Sequence, residues 1–214
     1  LRSGIYHPHG VAVVAATGAS AWGMRADDGR LVMFGGWGAL LGDEGSAYAM
    51  GLMALRTTVR VYEGRVSTPT RLVETLIAHF GIDPDDFRSG MYDIAYRNPI
   101  SRAEVAALAV LVTRLASEGD RVALRITQKV AADLASLALH AARALFEPTE
   151  SFKVAAAGGL LNAGDLVLCP LKEGLAEEFP HATLILGKEE PAIALGRFAL
   201  HNRFRPVDDR KTGL

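Results

Sequence analysis

Residues 11–34 constrain the fold most, because they hold three short apolar segments separated by two tight turns. Thr17-Gly18 forms the first turn, and Asp28-Gly29, a dipeptide that favours hairpins, forms the second. The first segment is apolar throughout, which is typical of a strand buried on both faces. The three predicted strands are Val11–Ala16, Ala19–Arg25 and Arg30–Phe34. They predict an antiparallel meander.

Helical patterns occupy most of the chain between residues 43 and 146. The predicted helices run from Asp43 to about Tyr62, from Thr68-Pro69 to Gly81, from Ser101 to Gly119, and from Asp120 to about Phe146. Asp83-Pro84 repeats the signal of a capping residue followed by proline. Ser101 and Glu104 have the spacing of a capping box. We expect the last two helices to pack as an antiparallel pair.

The pattern returns to strands after Glu147-Pro148. The predicted elements are a strand over Phe152–Ala157, a helix over Asp165–Phe179, a strand over Ala182–Leu186 and a helix over Glu189–His201. The chain is therefore predicted to be an α/β domain. An antiparallel meander is followed by a helical insert at about residues 65–146, and then by a β-α-β-α return to the sheet.

Composition excludes several classes of protein. The chain has 214 residues, half of them hydrophobic, and a net charge of −1, so it has no basic field to attract nucleic acid or an anionic membrane. Its single cysteine, Cys169, excludes an internal disulfide and is interpreted as a buried, inert thiol. No apolar stretch is long enough to span a bilayer, and we expect a cytoplasmic protein.

Familiar nucleotide and metal motifs are absent from the sequence. It contains neither the G-x-x-x-x-G-K-[ST] of a P-loop enzyme nor the G-x-G-x-x-G of a Rossmann dehydrogenase. It also lacks H-E-x-x-H, and His7-Pro8-His9 is interpreted as a loop. Any nucleotide site must therefore be built differently.

The glycine-rich stretch "GGWGALLGDEGS", Gly35–Ser46, is the first candidate site. Its glycines let backbone groups approach a ligand, and Asp43 can accept hydrogen bonds from sugar hydroxyls. Trp37 either packs against a sugar face or fills the hinge. The alternative is that Asp43 merely caps a helix. Because adjacent helical residues point about 100° apart, at most one of Asp43 and Glu44 serves a site directly.

Two glycine-containing turns are further candidates. Small residues at Thr17-Gly18 let backbone N–H groups and the threonine hydroxyl approach an anion, although a plain hairpin turn explains them equally well. Gly158-Gly159 follows a predicted strand and leaves room either for a planar ligand or for a tight turn. Neither turn decides between these readings alone.

Together these segments resemble a known family. "AATGASAWG" (Ala15–Gly23), "GGWGALLGDEGSAYAMG" (Gly35–Gly51) and "VAAAGGLL" (Val154–Leu161) occur in this order. They resemble the C-terminal lobe of the family that unites N-acetylglucosamine kinases with BadF/BadG/BcrA/BcrD-type ATPases. The resemblance spans nearly the whole chain. It implies the ribonuclease-H-like, actin-like ATPase fold of hexokinase, Hsp70 and actin.

The resemblance implies a role for each candidate residue. Thr17 and Gly18 match a phosphate-binding loop, Gly158 and Gly159 an adenosine-binding loop, and Gly36, Trp37 and Asp43 the sugar wall. The family's phosphate loop reads G-T-G-S, whereas here Ala19 replaces the serine and removes a hydroxyl donor. Ser20 is also expected in the sugar wall. It stands where eukaryotic sugar kinases of this type have asparagine, so a preference for N-acetyl sugars cannot be transferred. The tail "EEPAIALGRFAL" resembles the family's closing helix.

The function implied is ATP-dependent phosphorylation of an amino sugar, N-acetylglucosamine or glucosamine, with Mg²⁺. The family's first phosphate loop and catalytic aspartate have no match here. Residues 1–214 are therefore expected to be the C-terminal lobe, with no catalytic residue of their own, and to work with an N-terminal lobe in a homodimer. One alternative is an ATPase that activates a dehydratase or reductase, against which the lone Cys169 argues. The other is a non-catalytic sugar sensor, which Ala19 favours.

Overall fold

Five strands form one mixed sheet in the computed structural model, which describes residues 9–187. The strands are β1 (Gly10–Ala15), β2 (Ala19–Met24), β3 (Leu31–Gly35), β4 (Lys153–Ala157) and β5 (Thr183–Leu186). Their order is β3-β2-β1-β4-β5, with β1–β2 and β2–β3 antiparallel and β1–β4 and β4–β5 parallel. The predicted meander and the return to the sheet are confirmed. The predicted helix over Glu189–His201 lies outside the described residues.

The helices lie between β3 and β5 in the sequence. They are α1 (Gly38–Leu41), α2 (Ala47–Tyr62), α3 (Leu72–Phe80), α4 (Phe87–Tyr92), α5 (Arg102–Ser117), α6 (Arg121–Arg143) and α7 (Asp165–Glu178). Short 3-10 turns cover Pro84–Asp86 and Gly159–Ala163, and a π turn covers Asp93–Arg97. Helix α6 packs on β1, β2 and β3 and also against α5 and α7. The core lies between the sheet and these helices.

Local signals set several of these boundaries. Ser101 and Glu104 form the predicted capping box of α5, and Asp120 caps α6 through the N–H groups of Val122 and Ala123. Gly81 ends α3 in the left-handed conformation. Because Ser101 donates hydrogen bonds from its side chain and its backbone, the pKa of Glu104 lies below its usual value.

Three expectations about the helices, and one about Cys169, were wrong. Helix α2 begins at Ala47 because the Ser46 hydroxyl accepts the Ala49 N–H at 3.0 Å, so Ser46 and not Asp43 is its cap. Helix α3 begins at Leu72 instead of Thr68-Pro69, because Asp120 ties down the Thr70 side chain and the Arg71 N–H. Helix α6 ends at Arg143, before Phe146. Cys169 is only half-buried.

Helices α2 and α5 approach one another very closely. A Cβ atom at Gly51 of α2 would overlap the carbonyl oxygen of Val105 in α5. Since α2 follows the glycine-rich stretch directly, this contact places the start of α5 over the Thr17-Gly18 turn. Among residues 9–187, no helix combines the length and the apolar character needed to cross a bilayer.

Candidate functional site

The Thr17-Gly18 turn links β1 to β2 and is held by the start of α2. The Ala47 N–H donates to the Ala16 carbonyl at 2.9 Å, and the Tyr48 N–H donates to the Thr17 carbonyl at 3.3 Å. The Ala16 N–H donates to the Gly18 carbonyl at 2.9 Å and tightens the turn. The backbone of the turn is therefore fixed, while the Thr17 side chain remains exposed.

The two glycines after β4 differ in what they require. Gly158 has a φ of 122°, and a Cβ atom there would overlap the backbone of Ala15 in the neighbouring strand. Gly159 has no atom within 4 Å of its Cβ position and borders open space. Gly158 is therefore explained by the packing of β4 on β1, whereas packing gives no reason for Gly159.

A cavity of about 650 Å³ joins these two turns. Thr17, Gly159 and Asn162 line it at the ends of the neighbouring strands β1 and β4. Another wall is one side of α5, formed by Ala103, Ala106, Ala107, Val110 and Thr113. The volume lies within the usual range for small-ligand sites. The sequence analysis missed the α5 wall, because alanines at helical spacing are typical of ordinary packing.

Asp43 is buried beside the Thr17-Gly18 turn. It is only 2% exposed, and its φ of 66° is left-handed. Its carboxylate accepts the Ala19 N–H at 3.4 Å and forms an ion pair with the Arg102 guanidinium. The carboxylate therefore faces the first residue of β2. The sequence analysis missed Arg102, which is 59 residues away and carries no local signal.

Gly36 and Asp43 both contact the backbone of Ala19, and Ser20 is the next residue in β2. The Gly36 N–H donates to the Ala19 carbonyl at 2.9 Å, while the Ala19 N–H faces Asp43. A Cβ atom on Gly36 would lie 3.3 Å from the Ser20 Cβ. The Ser20 hydroxyl accepts the Trp22 indole N–H at 3.2 Å. Three of the predicted sugar-wall residues are thus gathered at the start of β2.

Trp37 and Glu44 directly follow Gly36 and Asp43 in the chain, and both are exposed. Trp37 is 74% exposed, so it does not fill the hinge as one reading had it. Glu44 is exposed whereas Asp43 is buried, so one carboxylate of the pair faces the site. Asp43 and Glu44 both lie in the loop before α2, so the different directions of their side chains do not come from helix geometry. In the part of the chain that the structure describes, no group of three or more His, Cys, Asp or Glu side chains could hold a metal ion.

The sheet order, its mixture of antiparallel and parallel pairs, and the helices between β3 and β4 define a ribonuclease-H-like domain of the actin-like ATPase fold, as predicted. The chain belongs to the BadF/BadG/BcrA/BcrD ATPase family, whose model matches residues 2–193.

Two curated relatives are sugar kinases. The chain is 26% identical over 193 residues to the N-acetylmuramic acid/N-acetylglucosamine kinase of Clostridium acetobutylicum, which covers 90% of this chain and 61% of that protein. It is also 26% identical over 196 residues to the N-acetyl-D-glucosamine kinase of Dictyostelium discoideum, covering 91% of this chain and 60% of that protein. The chain thus spans about three fifths of the length of these curated relatives.

Solved structures agree on the fold. A Chromobacterium violaceum protein assigned as an N-acetylglucosamine kinase has a TM-score of 0.65 and 28% identity, covering 86% of this chain and 57% of that one. A Porphyromonas gingivalis protein with the same assignment has a TM-score of 0.63 at 17% identity, covering 91% and 61%. The second likeness concerns the fold alone.

Proposed function

We propose that the protein transfers a phosphoryl group from ATP to an amino sugar, N-acetylglucosamine or glucosamine. The observation that carries this proposal is the meeting of two half-sites at one turn. Thr17 of this turn lines the cavity, and Gly18 of the same turn adjoins the buried carboxylate of Asp43. The names of the two curated relatives support the same activity.

The nucleotide half is the cavity. The Thr17 hydroxyl and the amides of its turn would meet phosphates, and Gly159 with the apolar wall of α5 would meet the base. Mg²⁺ would enter with ATP, because this ion is commonly held by substrate phosphates and water with only one or two carboxylates. It would offset the negative charge of the phosphates.

The sugar half is built around Ala19. Asp43 accepts hydrogen bonds from sugar hydroxyls, with Gly36 and Ser20 beside it at the start of β2. A charged acceptor makes stronger hydrogen bonds than a neutral one. Trp37, exposed beside Gly36, is available to cover an apolar face of the sugar.

The general base belongs elsewhere in this proposal. Asp43 is already paired with Arg102, so its carboxylate is engaged in that contact and is not assigned the proton transfer. We therefore propose that residues 1–214 act as a C-terminal lobe, with residues 65–146 as its helical insert, and that an N-terminal lobe supplies the aspartate that deprotonates the sugar hydroxyl. We also propose a homodimer that works in the cytoplasm.

One specific observation favours a second function, a sugar sensor without turnover. Ala19 stands where the resemblance expects a serine hydroxyl in the phosphate loop, so one donor to the phosphates is missing. Such a sensor would bind the sugar and release no ADP.

A panel of sugars tests the proposal. The complete protein is incubated with Mg-ATP and, separately, with N-acetylglucosamine, glucosamine, N-acetylmuramic acid, glucose or no sugar, and ADP is measured. We expect ADP release to depend on an amino sugar. Release at the same rate without sugar would favour an activator ATPase, and sugar binding without release would favour the sensor.

A further inference from the structure

Arg102 occupies a position in α5 that is unfavourable for a cation. It is the first residue of the helix, where the peptide dipoles leave partial positive charge. A nearby carboxylate offsets this unfavourable position. The balancing group is the Asp43 carboxylate, which lies in the loop before α2.

Asp43 in turn needs a cation. Its side chain is only 3% exposed, and a buried carboxylate is costly unless it is both paired and hydrogen-bonded. Within residues 9–187 its partners are the Arg102 guanidinium and the Ala19 N–H. Both the carboxylate and the guanidinium press against Gly18. A Cβ atom there would lie 2.8 Å from the Asp43 Oδ1 and 3.1 Å from the Arg102 Nη2.

Tyr48 fixes the guanidinium from another side. The guanidinium carbon lies 5.6 Å from the centroid of the Tyr48 ring, within the range of cation–π attraction. Tyr48 also donates its backbone N–H to the Thr17 carbonyl. Arg102 is thus held at the junction of the phosphate turn, α2 and α5.

We propose that Arg102 is a positioning residue for sugar binding. It holds the Asp43 carboxylate in place at the start of β2, with the planar geometry that only a guanidinium supplies. Because Arg102 acts through Asp43, its loss weakens the binding of the sugar and leaves the binding of the nucleotide nearly unchanged. This inference rests on the proposed function, because it assigns the sugar to Asp43.

The test uses the complete protein with Arg102→Ala, Arg102→Lys and the control Arg121→Ala. Arg121 is exposed and is the first residue of α6, as Arg102 is of α5. For Arg102→Ala we expect the calorimetric Kd and the KM for the sugar to rise about tenfold or more, while the KM for ATP changes less than about threefold. Arg102→Lys should fall between Arg102→Ala and the wild type, and the control should match the wild type.

A double variant separates positioning from general destabilisation. If Arg102 acts through Asp43, adding Arg102→Ala to Asp43→Asn should weaken sugar binding no further, because the two effects share one interaction. If the loss of sugar affinity in the double variant equals the sum of the losses in the two single variants, the inference is overturned. A rise in the KM for ATP with the sugar unaffected also overturns it, since it would mean that Arg102 contacts phosphate.

The wild type distinguishes the two possible failures. If it phosphorylates an amino sugar and Arg102→Ala has the same Kd for that sugar, the inference alone is wrong. If the wild type neither binds nor phosphorylates any sugar of the panel, the proposed function is wrong, and the inference is overturned with it.

Discussion

Asp43 is a charged residue that is buried in a left-handed backbone conformation. Among the described residues it is the one non-glycine position with a positive φ. Aspartate and asparagine tolerate this conformation better than most residues, but it still carries strain. Its capping role is taken by Ser46, so helix formation does not explain it. The burial, the strain and the position beside the phosphate turn are all explained if Asp43 binds a ligand.

Asp43→Asn tests this interpretation. Asparagine has nearly the same shape and accepts the same backbone conformation, so the change mainly removes the charge. Since hydrogen bonds to charged groups contribute about 1.5–3 kcal/mol, we expect sugar affinity to fall by about one to two orders of magnitude. Calorimetry on the complete protein measures it. Glu44→Gln, on the exposed neighbouring carboxylate, is the control, and an Asp43→Asn protein that binds sugar as the wild type does would refute the role.

Gly159→Val tests the adenosine side of the cavity. The backbone of Gly159 is not left-handed and its Cβ position is open, so valine should fold normally and intrude on the ligand. We expect the KM for ATP to rise by about tenfold or more, with the KM for the sugar little changed. Gly158→Ala offers the contrast, because it would overlap Ala15 and lower the melting temperature. Equal increases in both KM values for Gly159→Val would count against a nucleotide role.

At the scale of elements, Asp120 connects two helices. It caps α6 through N–H groups at 3.0 Å and also accepts hydrogen bonds from the Thr70 hydroxyl and the Arg71 N–H before α3. Burial raises the pKa of its carboxyl, but the hydrogen bonds from Ala123, Arg71, Thr70 and Val122 outweigh burial, and the pKa lies below its usual value. The carboxylate therefore remains charged near neutral pH.

We expect Asp120→Ala to cost about 2–4 kcal/mol of unfolding free energy, because donors are left without partners at two helix starts. Ser101→Ala, which removes an exposed cap of α5, should cost about 1 kcal/mol. Urea unfolding of the two variants measures the difference. Equal losses would show that Asp120 serves one helix only.

The ion pair between Arg25 and Glu150 predicts how stability depends on pH. It joins the end of β2 to the loop before β4 through two contacts, at 2.6 and 2.9 Å. The Arg25 side chain, with the Glu147 N–H, lowers the pKa of Glu150 from 4.5 to about 2. A carboxyl whose pKa is lower in the folded state stabilises the fold when the pH is above its pKa in the unfolded chain. This contribution is lost as the pH falls from 4.5 towards 2.

In Glu150→Gln the melting temperature should therefore fall less steeply than in the wild type as the pH is lowered from 4.5 to 2. Melting temperatures across this interval measure it, and Glu173→Gln, on an exposed glutamate of α7, controls for the change in net charge. The same fall in Glu150→Gln as in the wild type would mean that the pair does not persist in solution.

Local signals explain why most elements could be predicted. The capping box at Ser101, the cap at Asp120 and the left-handed Gly81 each act within a few residues, so the sequence shows both partners. The start of α3 could not be found in this way. It depends on a contact between Thr70 and Asp120, 50 residues apart, and no pattern near Thr68 reveals it.

The candidate site was predicted less completely. The positions of Thr17, Gly36, Asp43 and Gly159 followed from the resemblance, and the structure gathers them about two adjoining turns. The α5 wall was missed because alanines at helical spacing predict core positions. Arg102 was missed because an ion pair between distant residues produces no local pattern in the sequence. Asp43 was predicted to cap α2, whereas Ser46, three residues later and an equally good capping residue, is the cap.

For the whole molecule, the half-sites lie at one edge of the sheet. Thr17 follows β1 and Gly159 follows β4, two parallel strands whose carboxyl ends meet there. Ligands in open α/β sheets commonly bind at such an edge. The Thr17-Gly18 turn adjoins both the cavity and Asp43, so our proposal places a sugar at Asp43 next to the phosphates.

Residues 1–214 expressed alone should not phosphorylate a sugar. In our proposal the general base and the facing lobe come from outside these residues, and phosphoryl transfer depends on positioning between both. We expect weak sugar binding, poor solubility or dimerisation, and no sugar-dependent ADP. Adding an N-terminal lobe that carries the first phosphate loop should restore turnover. Turnover by the fragment alone would place the base within it.

The central claim is that the complete protein transfers a phosphoryl group from ATP to an amino sugar, and that both bind at this edge of the sheet. The most direct measurement is quantitative mass spectrometry of ADP and sugar phosphate in the same reaction, with the complete protein, Mg-ATP and N-acetylglucosamine or glucosamine. The account predicts equal amounts of the two products with at least one of these sugars, and little ADP without sugar. ADP that forms equally well without sugar, or that forms with no sugar phosphate, would contradict it.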